Sequence, residues 1–563
     1  MTAGTGAVTS APRTAPSYSS AASPATAAPA AQPASRTAAA TTAGSVAPTT
    51  SSAPSAAPRT TGAPAGATIP AVLGVDVGTS STKGTLVALD GTILAAAVRE
   101  HSVSRPAPGH VEMDAEIWWE EFVDIARELT ATGAADVPAE VTAIGVSGMG
   151  PCVLLTDESG EPVRPAILYG VDTRAGDEIR HLTNVLGREE IVAHCGGMLT
   201  SQAAGPKVAW VARHEPEVYA RARRLFMPAS YLAFRLTGEY VLDHVSASQC
   251  APMYSLRHQT WHPEWAERVG PGLELPELRW AGEAAGTVQS AITRRVPGLR
   301  AGIPVITGTI DAWAEAVSVG AASPGDLMLM YGTTTFLVAT TVEPVASRTL
   351  WPTSGVEPGA YALSGGMASS GAITGWLREL TGSPGFDELL AEAEASGPGA
   401  NGLVMLPYFA GERSPIADPG ARGVIAGLTL SHTRGDLYRA ALEAAAFGVR
   451  HHLETLTAAE LSLDRVVAVG GGARSDLWPQ IVSDVTGLAQ RIPRRIVGAS
   501  YGGSMLAARL AHGTDVSRWN PTDHEIVPDP SRRERYDELY RLYRDLYPAT
   551  YEITHALAAM QEH

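Results

Sequence analysis

Residues 72–91 read VLGVDVGTSSTKGTLVALDG. The run from Val72 to Val77 alternates and is β-rich, as is the run from Thr85 to Leu89, so a strand, a turn and a second strand are expected. Asp90-Gly91 is a hairpin signal, and TILAAAVRE beyond it supplies a third strand. Asp76 and the loop Gly78 to Lys83 then stand at a strand end, in a tight turn between antiparallel strands. A structural turn calls for a glycine or an asparagine, not for Asp, Thr, Ser, Ser, Thr and Lys together. That set suits a polyphosphate. Small residues such as Gly78, Thr79 and Ser80 let backbone N–H groups approach the oxygens, hydroxyls add donors, and Lys83 offers a positive point charge. Asp76 suits a hydrated magnesium ion, which takes one or two carboxylates with water and phosphate oxygens. Taken alone, the segment also reads as a decorated hairpin.

Around this stretch lies a chain of 563 residues, enough for two to four ordinary domains. Residues 1–67 are almost entirely Ala, Ser, Thr, Pro and Gly, with Arg13, Arg36 and Arg59 and no acids. Such a segment buries too little apolar surface to offset its ordering entropy and is expected to be a disordered tail or an over-extended start. It lacks the apolar stretch of a secretory signal and the amphipathic arginine pattern of a transit peptide. Without its three arginines the formal charge of −16 becomes −19. That balance matches neither nucleic acid nor an anionic membrane. No window approaches eighteen uninterrupted apolar residues, so no membrane span is expected. Cys152, Cys195 and Cys250 are odd in number and lack C-x-x-C spacing, as in buried residues of a reducing, cytoplasmic compartment. The oligomeric state is open, and a homodimer is compatible with the sequence.

Further along, Asp114 suits the cap of a helix, AEIWWEEFVDIARELTA, with Ile117, Trp118, Phe122, Ile125 and Leu129 on one face. The Trp118-Trp119 pair reads as core and helix surface. VTAIGVSG is a strand, PCVLLTDESGEPV a hairpin, 205–236 helical and 276–304 loop-rich. PVITGTIDAWAEAVSVGA is a strand–helix junction. LMLMYGTTTFLVATT at 327–341 then repeats the opening: strand, small hydroxylated turn, strand. A strand and helix follow in YALSGGMASSGAITGWLREL, a long helix in LYRAALEAAAFGVRHHLETL, and a strand, glycine turn and helix in RVVAVGGGARSDLWPQIVSDVTG. Two halves that each begin with a hydroxyl-rich β-turn point to duplicated α/β domains with a cleft between them.

On these residues the chain resembles the FGGY carbohydrate kinases, within the actin-like, heat-shock chaperone and sugar-kinase superfamily. DVGTSSTKG at 76–84 and YGTTT at 331–335 resemble its two phosphate motifs, VGGGARSDLWPQIVSDVTG at 469–487 its adenosine motif, and GVIAGLTLSHTRGDLYRAALE at 423–443 its second signature. The resemblance covers about 70–515 and implies two actin-like (ribonuclease H-like) ATPase domains, at 68–320 and 321–515, between the tail and a C-terminal extension, 516–563. It implies ATP and magnesium, and a sugar or polyol as phosphoryl acceptor. The nucleotide contacts would be Gly78, Thr79, Ser80, Lys83, Gly332, Thr333, Thr334, Gly470, Gly471, Gly472, Ala473 and Arg474, with Asp76 for the metal. Asp311 falls where the family has its catalytic aspartate. In VITGTIDAWAEAVSVG it occupies the first turn of a helix, whose dipole favours the ionised form. An ionised carboxylate is the right base for a sugar hydroxyl attacking a γ-phosphate.

Departures concern the acceptor. Xylulokinases typically read G-Q-M-H-G where this chain has Gly148-Met149-Gly150-Pro151-Cys152, and Pro151 donates nothing. Ala312 replaces the usual asparagine after the catalytic aspartate. The family's W-N-D-x-R is Gly170-Val171-Asp172-Thr173-Arg174, which keeps the acid and the arginine and loses the aromatic–amide pair. The first signature is partial, with Lys207 and Trp210 matching. Met149, Gly150, Asp172, Arg174 and Asp311 are the expected sugar contacts, and D-xylulose itself is in doubt. Two other readings compete. Gly498-x-Ser500-x-Gly502 before a helix resembles a nucleophile elbow, with His512 and His524 among the few downstream partners. A sugar- and ATP-binding regulator of the same fold would keep the phosphate turns and lack the base. The pairs His451-His452 and His194-Cys195 lack zinc-ligand spacing.

Overall fold

A computed structural model describes residues 68–132 and 138–561; the tail expected over 1–67 lies outside them. The opening stretch forms the strands Ile69–Val77, Ser81–Ala88 and Ile93–Glu100. The second strand begins at Ser81, earlier than the apolar pattern indicates, because Gly78 N donates to Ser81 O (3.0 Å) and closes the turn within three residues. Lys83 is therefore a strand residue. It pairs directly opposite Asp76, so the two side chains share one face of the sheet.

The Ile69–Val77 strand also pairs in parallel with Ala139–Gly148, which continues through Pro304–Ile306 to the edge strand Ala284–Thr287, with Thr309–Ile310 beside Ala139–Gly148. This is one seven-stranded sheet. A second seven-stranded sheet repeats the pattern. Asp326–Tyr331, Thr335–Thr341 and Tyr361–Gly366 are its antiparallel meander, and Asp326–Tyr331 pairs in parallel with Arg465–Val469. Each meander's first turn carries one hydroxyl-rich segment, so the duplication read from the sequence is present in the topology.

Asp114 caps its helix as expected, accepting from Glu116 N (2.9 Å), and Ala115–Thr132 buries Trp118, Phe122, Ile125 and Leu129. Trp119 is not a surface residue. It is buried too, stacked on Phe122 with Arg235 over its ring. The helical stretch expected over 205–236 is interrupted by the strand Arg224–Phe226, which finds a pairing partner in Leu154–Thr156. Residues 276–304 hold three short elements, Glu277–Arg279, Ala284–Thr287 and Ser290–Arg295. All three cysteines are free and buried, and burial pushes the thiols of Cys152 and Cys195 up to about 12. Among the described residues no helix is long and apolar enough to cross a membrane.

The helix Ala499–His512 follows the second half in sequence but packs on the first sheet. The approach is backbone to backbone: a Cβ on Gly74 would stand 1.9 Å from Ser500 O, one on Gly145 2.1 Å from Gly503 O, and one on Gly502 1.8 Å from Ala314 O. Real Cβ atoms do not come so near, so the seam exists only because these positions lack one. Gly502→Ala is expected to lower stability by at least about 1–3 kcal/mol, as overpacking does. Gly375→Ala, in the helix Gly371–Leu380 with open space around it, is expected to raise it by up to about 1 kcal/mol. Urea midpoints of the two variants check the contrast.

Candidate active site

The first phosphate turn is held from outside. His101 Nε2 meets Gly78 O (3.0 Å) while its Nδ1 meets Glu121 (2.9 Å), and His101 N donates to Ser80 O (3.0 Å). Thr79 Oγ1 lies 3.0 Å from the Tyr169 hydroxyl, and the side chains of Ser80 and Lys83 are exposed. The second turn is stitched to the segment after Tyr361–Gly366. Met367 N donates to Thr335 O (3.0 Å), Ser370 N to Thr333 O (3.2 Å) and Gly371 N to Gly332 O (3.1 Å). Thr333 is exposed and Thr334 half-buried. In the third segment, Gly470 and Gly472 are packing positions. A Cβ on Gly470 (φ 92°) would stand 2.6 Å from Tyr331 O, and one on Gly472 2.5 Å from the Trp478 ring. Ala473 is buried, which leaves Gly471 and Arg474 facing solvent.

Asp311 opens the helix Asp311–Ser318, directly after Thr309–Ile310, which pairs with the end of Ala139–Gly148. Ala312 N donates to its Oδ1 (2.8 Å). Asp76 accepts from Ser147 Oγ (2.8 Å). Burial raises the Asp76 carboxyl against that hydrogen bond and the Lys83 charge. Burial first and the Asp76 charge next push Asp311 up to about 7. Glu315, one helical turn from Asp311, is pushed up to about 7 by burial and then by Asp76. The sequence reading missed Glu315, although its i, i+4 spacing from Asp311 was the available signal.

Among the described residues no group of three or more His, Cys, Asp or Glu is arranged to hold a metal unaided. Magnesium needs only one or two carboxylates when phosphate oxygens and water complete its shell. The hard oxygens of Asp76 and its neighbour Asp311 fit that requirement.

Three expected sugar contacts are closed off. Met149 is 1% exposed and belongs to the apolar core of the first sheet. The Asp172 carboxylate is fully buried, accepting from Val111 N (2.6 Å) and from Arg174, whose Nη1 donates to Glu112 (2.7 Å). Arg174 also stacks over Trp210 (4.9 Å). Both charges are engaged in holding the loop, and the side chains of Arg174 and Asp172 are 1% and 0% exposed. Gly150 is half-exposed. Lys207, buried, donates to Tyr169 O (2.9 Å) and Ser201 O (2.6 Å), anchoring the same loop, and burial lowers its pKa to about 8.

What this loop presents instead is Val171 and Thr173, both exposed. They line a cavity of about 560 Å³ together with Gln202, Thr334, Trp351 and Arg413. Gln202 Oε1 accepts from Gly170 N (2.9 Å), in space that a side chain at 170 would take. The cavity joins the loop of the first half to the second phosphate turn.

The elbow reading fails on burial. Ser500 is 2% exposed, its carbonyl set against Gly74 in the helix–sheet seam. His512 bonds Thr142 (2.8 Å), and His524 bonds Asp523 and Asp476. His452 is buried between Ser414 and Gly448 O, and His194 packs on the rings of His262 and Trp265.

Asp172→Ala leaves the Arg174 guanidinium and Val111 N short of a partner. The expected loss is about 3–5 kcal/mol of stability with the acceptor KM of the folded protein unchanged. Thermal melts beside acceptor titrations check it; a raised KM with an unchanged melt would place the carboxylate in the sugar site.

Known proteins resemble this chain over most of its length. The profile described as "FGGY family of carbohydrate kinases, N-terminal domain" matches residues 71–318, and its C-terminal counterpart matches 327–511. Xylulose kinase of Escherichia coli (strain K12) is 29% identical over 490 residues, covering 84% of this chain and 98% of the relative. Glycerol kinase of Nocardia farcinica is 30% identical over 470 residues, covering 80% and 91%. The crystal structure of xylulose kinase from Rhodospirillum rubrum superposes with a TM-score of 0.79 at 33% identity, over 86% of this chain and all of that one. With both halves matched and the two hydroxyl-rich turns in place, the chain belongs to the FGGY family of carbohydrate kinases, phosphotransferases that use an alcohol group as acceptor.

Proposed function

We propose that this protein transfers the γ-phosphoryl group of ATP to a hydroxyl of a sugar or polyol, in the manner of a xylulokinase. The observation that carries the reading is Asp311: a half-buried carboxylate in the first turn of a helix, whose ionisation feels the charges of Asp76 and Lys83 of the first phosphate turn. Its Oδ1 is taken by Ala312 N, and its Oδ2 has no partner among the described residues. Oδ2 is the atom that takes the acceptor's proton. A carboxyl held near 7 is matched to proton transfer near neutrality.

The remaining roles follow from position. Gly78, Thr79, Ser80 and Lys83 receive the phosphates from one side, and Gly332, Thr333 and Thr334 from the other. Gly471 and Arg474 meet the nucleoside, with Gly470, Gly472 and Ala473 shaping the turn. Asp76 would hold magnesium. The ion supplies charge neutralisation to the phosphates when bound.

For the acceptor we read Gly150, Val171, Thr173 and Gln202 as the facing positions. With Pro151 and Gly170-Val171 in place of polar and aromatic groups, they make a roomier and less polar lining than the xylulokinase pattern implies. Relatives named for xylulose and for glycerol lie at similar identity, which supports the broader class of polyhydroxy acceptors. Free, buried thiols support a cytoplasmic setting.

Asp311→Asn is expected to lower kcat by a factor of about 10²–10⁴ while ATP affinity changes little, because the amide keeps the shape and cannot accept the proton. The parent's kcat/KM is expected to rise with pH through about 7, as Asp311 ionises, and the variant should lose that limb. Turnover over a panel of ketoses, aldoses and polyols, with ATP affinity measured on the same preparations, checks both. A variant as fast as its parent names another base, and a folded, ATP-binding parent that phosphorylates no panel member favours the regulator.

A further inference from the structure

Among the described residues Arg413 is a cation with no directly bonded carboxylate. It lies in the segment between the strands Val404–Leu406 and Val424–Ala426 and lines the 560 Å³ cavity. Its Nη2 donates to Met367 O (2.6 Å), and its Nε is buried with no hydrogen-bond partner. Adjacent Glu412 makes no ion pair with the guanidinium: its Oε1 accepts from the backbone N–H groups of Ala368 and Arg413 (2.8 Å each), and its charge acts on Arg413 without a direct contact. Among the described residues no carboxylate stands within ion-pair distance of its guanidinium, and its other close neighbour is the Trp351 ring, 5.7 Å away. Removing a guanidinium from water without an anion is costly, and the cost is recovered only when an anion arrives.

The location says which anion. Met367, whose carbonyl holds Arg413, donates its own N–H to Thr335 O at the end of the second phosphate turn. Arg413 is thus two hydrogen bonds from that turn, on the wall that also carries Thr334. On the first half's side, Tyr169 bonds Thr79 of the first phosphate turn. Burial raises its hydroxyl, against the Thr79 hydrogen bond, and the charges of Asp311 and Arg413 both act on it. The guanidinium therefore stands beside the second phosphate turn, on the cavity wall that faces the loop 170–173 of the first half.

We propose that Arg413 is a catalytic arginine supplied from within the chain, whose free N–H groups receive the non-bridging oxygens of the phosphoryl group in transfer. The inference rests on the kinase reading above. In the step, the acceptor oxygen forms a bond to Pγ and its proton passes to Asp311 Oδ2. The bond from Pγ to the β–γ bridging oxygen breaks, and its electron pair leaves with ADP. Charge on the three equatorial oxygens is what a planar, multi-donor guanidinium stabilises.

The test uses the full chain with ADP and with ADP plus aluminium fluoride, a planar mimic of the transferring group, in the presence of magnesium and the acceptor with the highest panel turnover, or D-xylulose if none turns over. The parent is expected to bind the fluoride complex far more tightly than ADP, and Arg413→Gln to lose that preference while binding ADP within about twofold of the parent. Arginines in this role contribute about 10³–10⁵ in kcat, and a fall of that order is expected. Free guanidinium at millimolar concentration should restore part of the activity of Arg413→Ala. Arg413→Lys, which keeps the charge and loses the fork, serves as the folded control by its melting temperature, and it too should lose the preference. The proposal is overturned if a folded variant keeps its kcat, or if ADP and the fluoride complex weaken equally. It is equally overturned if only the acceptor KM rises, which would put the anion on the acceptor, or if the parent shows no preference. A parent that turns over no acceptor but keeps the preference counts against the kinase reading and not against Arg413.

Discussion

One helix lies on the first sheet at backbone contact, and the site depends on it. Gly74, Gly145 and Gly502 remove the side chains that would hold the helix Ala499–His512 away. Gly74 is two residues from Asp76 in the same strand, and Ala314, whose carbonyl faces Gly502, is in the same helix as Asp311 and Glu315. The seam therefore sets the spacing between the strand that carries Asp76 and the helix that carries Asp311. A displacement of one carbon–carbon bond length there would move Asp311 relative to the phosphate turn. It also joins the two halves of the chain, since a helix reached through the second sheet completes the packing of the first.

The electrostatics follow from that proximity. Desolvation opposes the ionised form of each carboxylate, and the charges of Asp76 and Asp311 oppose each other. Lys83 is directly opposite Asp76 and offsets part of this. The group of carboxylates is thus held at higher energy than the same groups in water, and a cation or a proton lowers it. Arg413 is the opposite case on the facing wall, a guanidinium lacking an anion. Carboxylates raised in energy by burial suit a divalent metal, and a guanidinium without a bonded carboxylate suits an anion.

Burial divides the side chains of one loop. In the loop 169–174 the charged residues point inward, where Asp172, Arg174 and Glu112 saturate one another. The uncharged Val171 and Thr173 point outward. The loop's shape is thus maintained by ionic contacts among its buried side chains.

The sequence by itself determined the two meanders, the hydroxyl-rich turns and the strand–helix junction that carries Asp311. All are local: period-two apolar alternation, a turn closed within three residues, and a carboxylate at a helix start. Tertiary structure alone decided which polar residues remained available. Nothing in G-V-D-T-R indicates that Asp172 and Arg174 meet Glu112, sixty or so residues away. Nothing in E-R-S-P indicates that Glu412 turns to backbone N–H groups and leaves Arg413 unpaired. G-A-S-Y-G reads as an exposed elbow until Gly74 is seen beneath Ser500. Each of these outcomes depends on a partner distant in the chain. Local propensity fixes where a strand or turn begins, and long-range packing fixes whether a charge or hydroxyl is consumed or left facing the cleft.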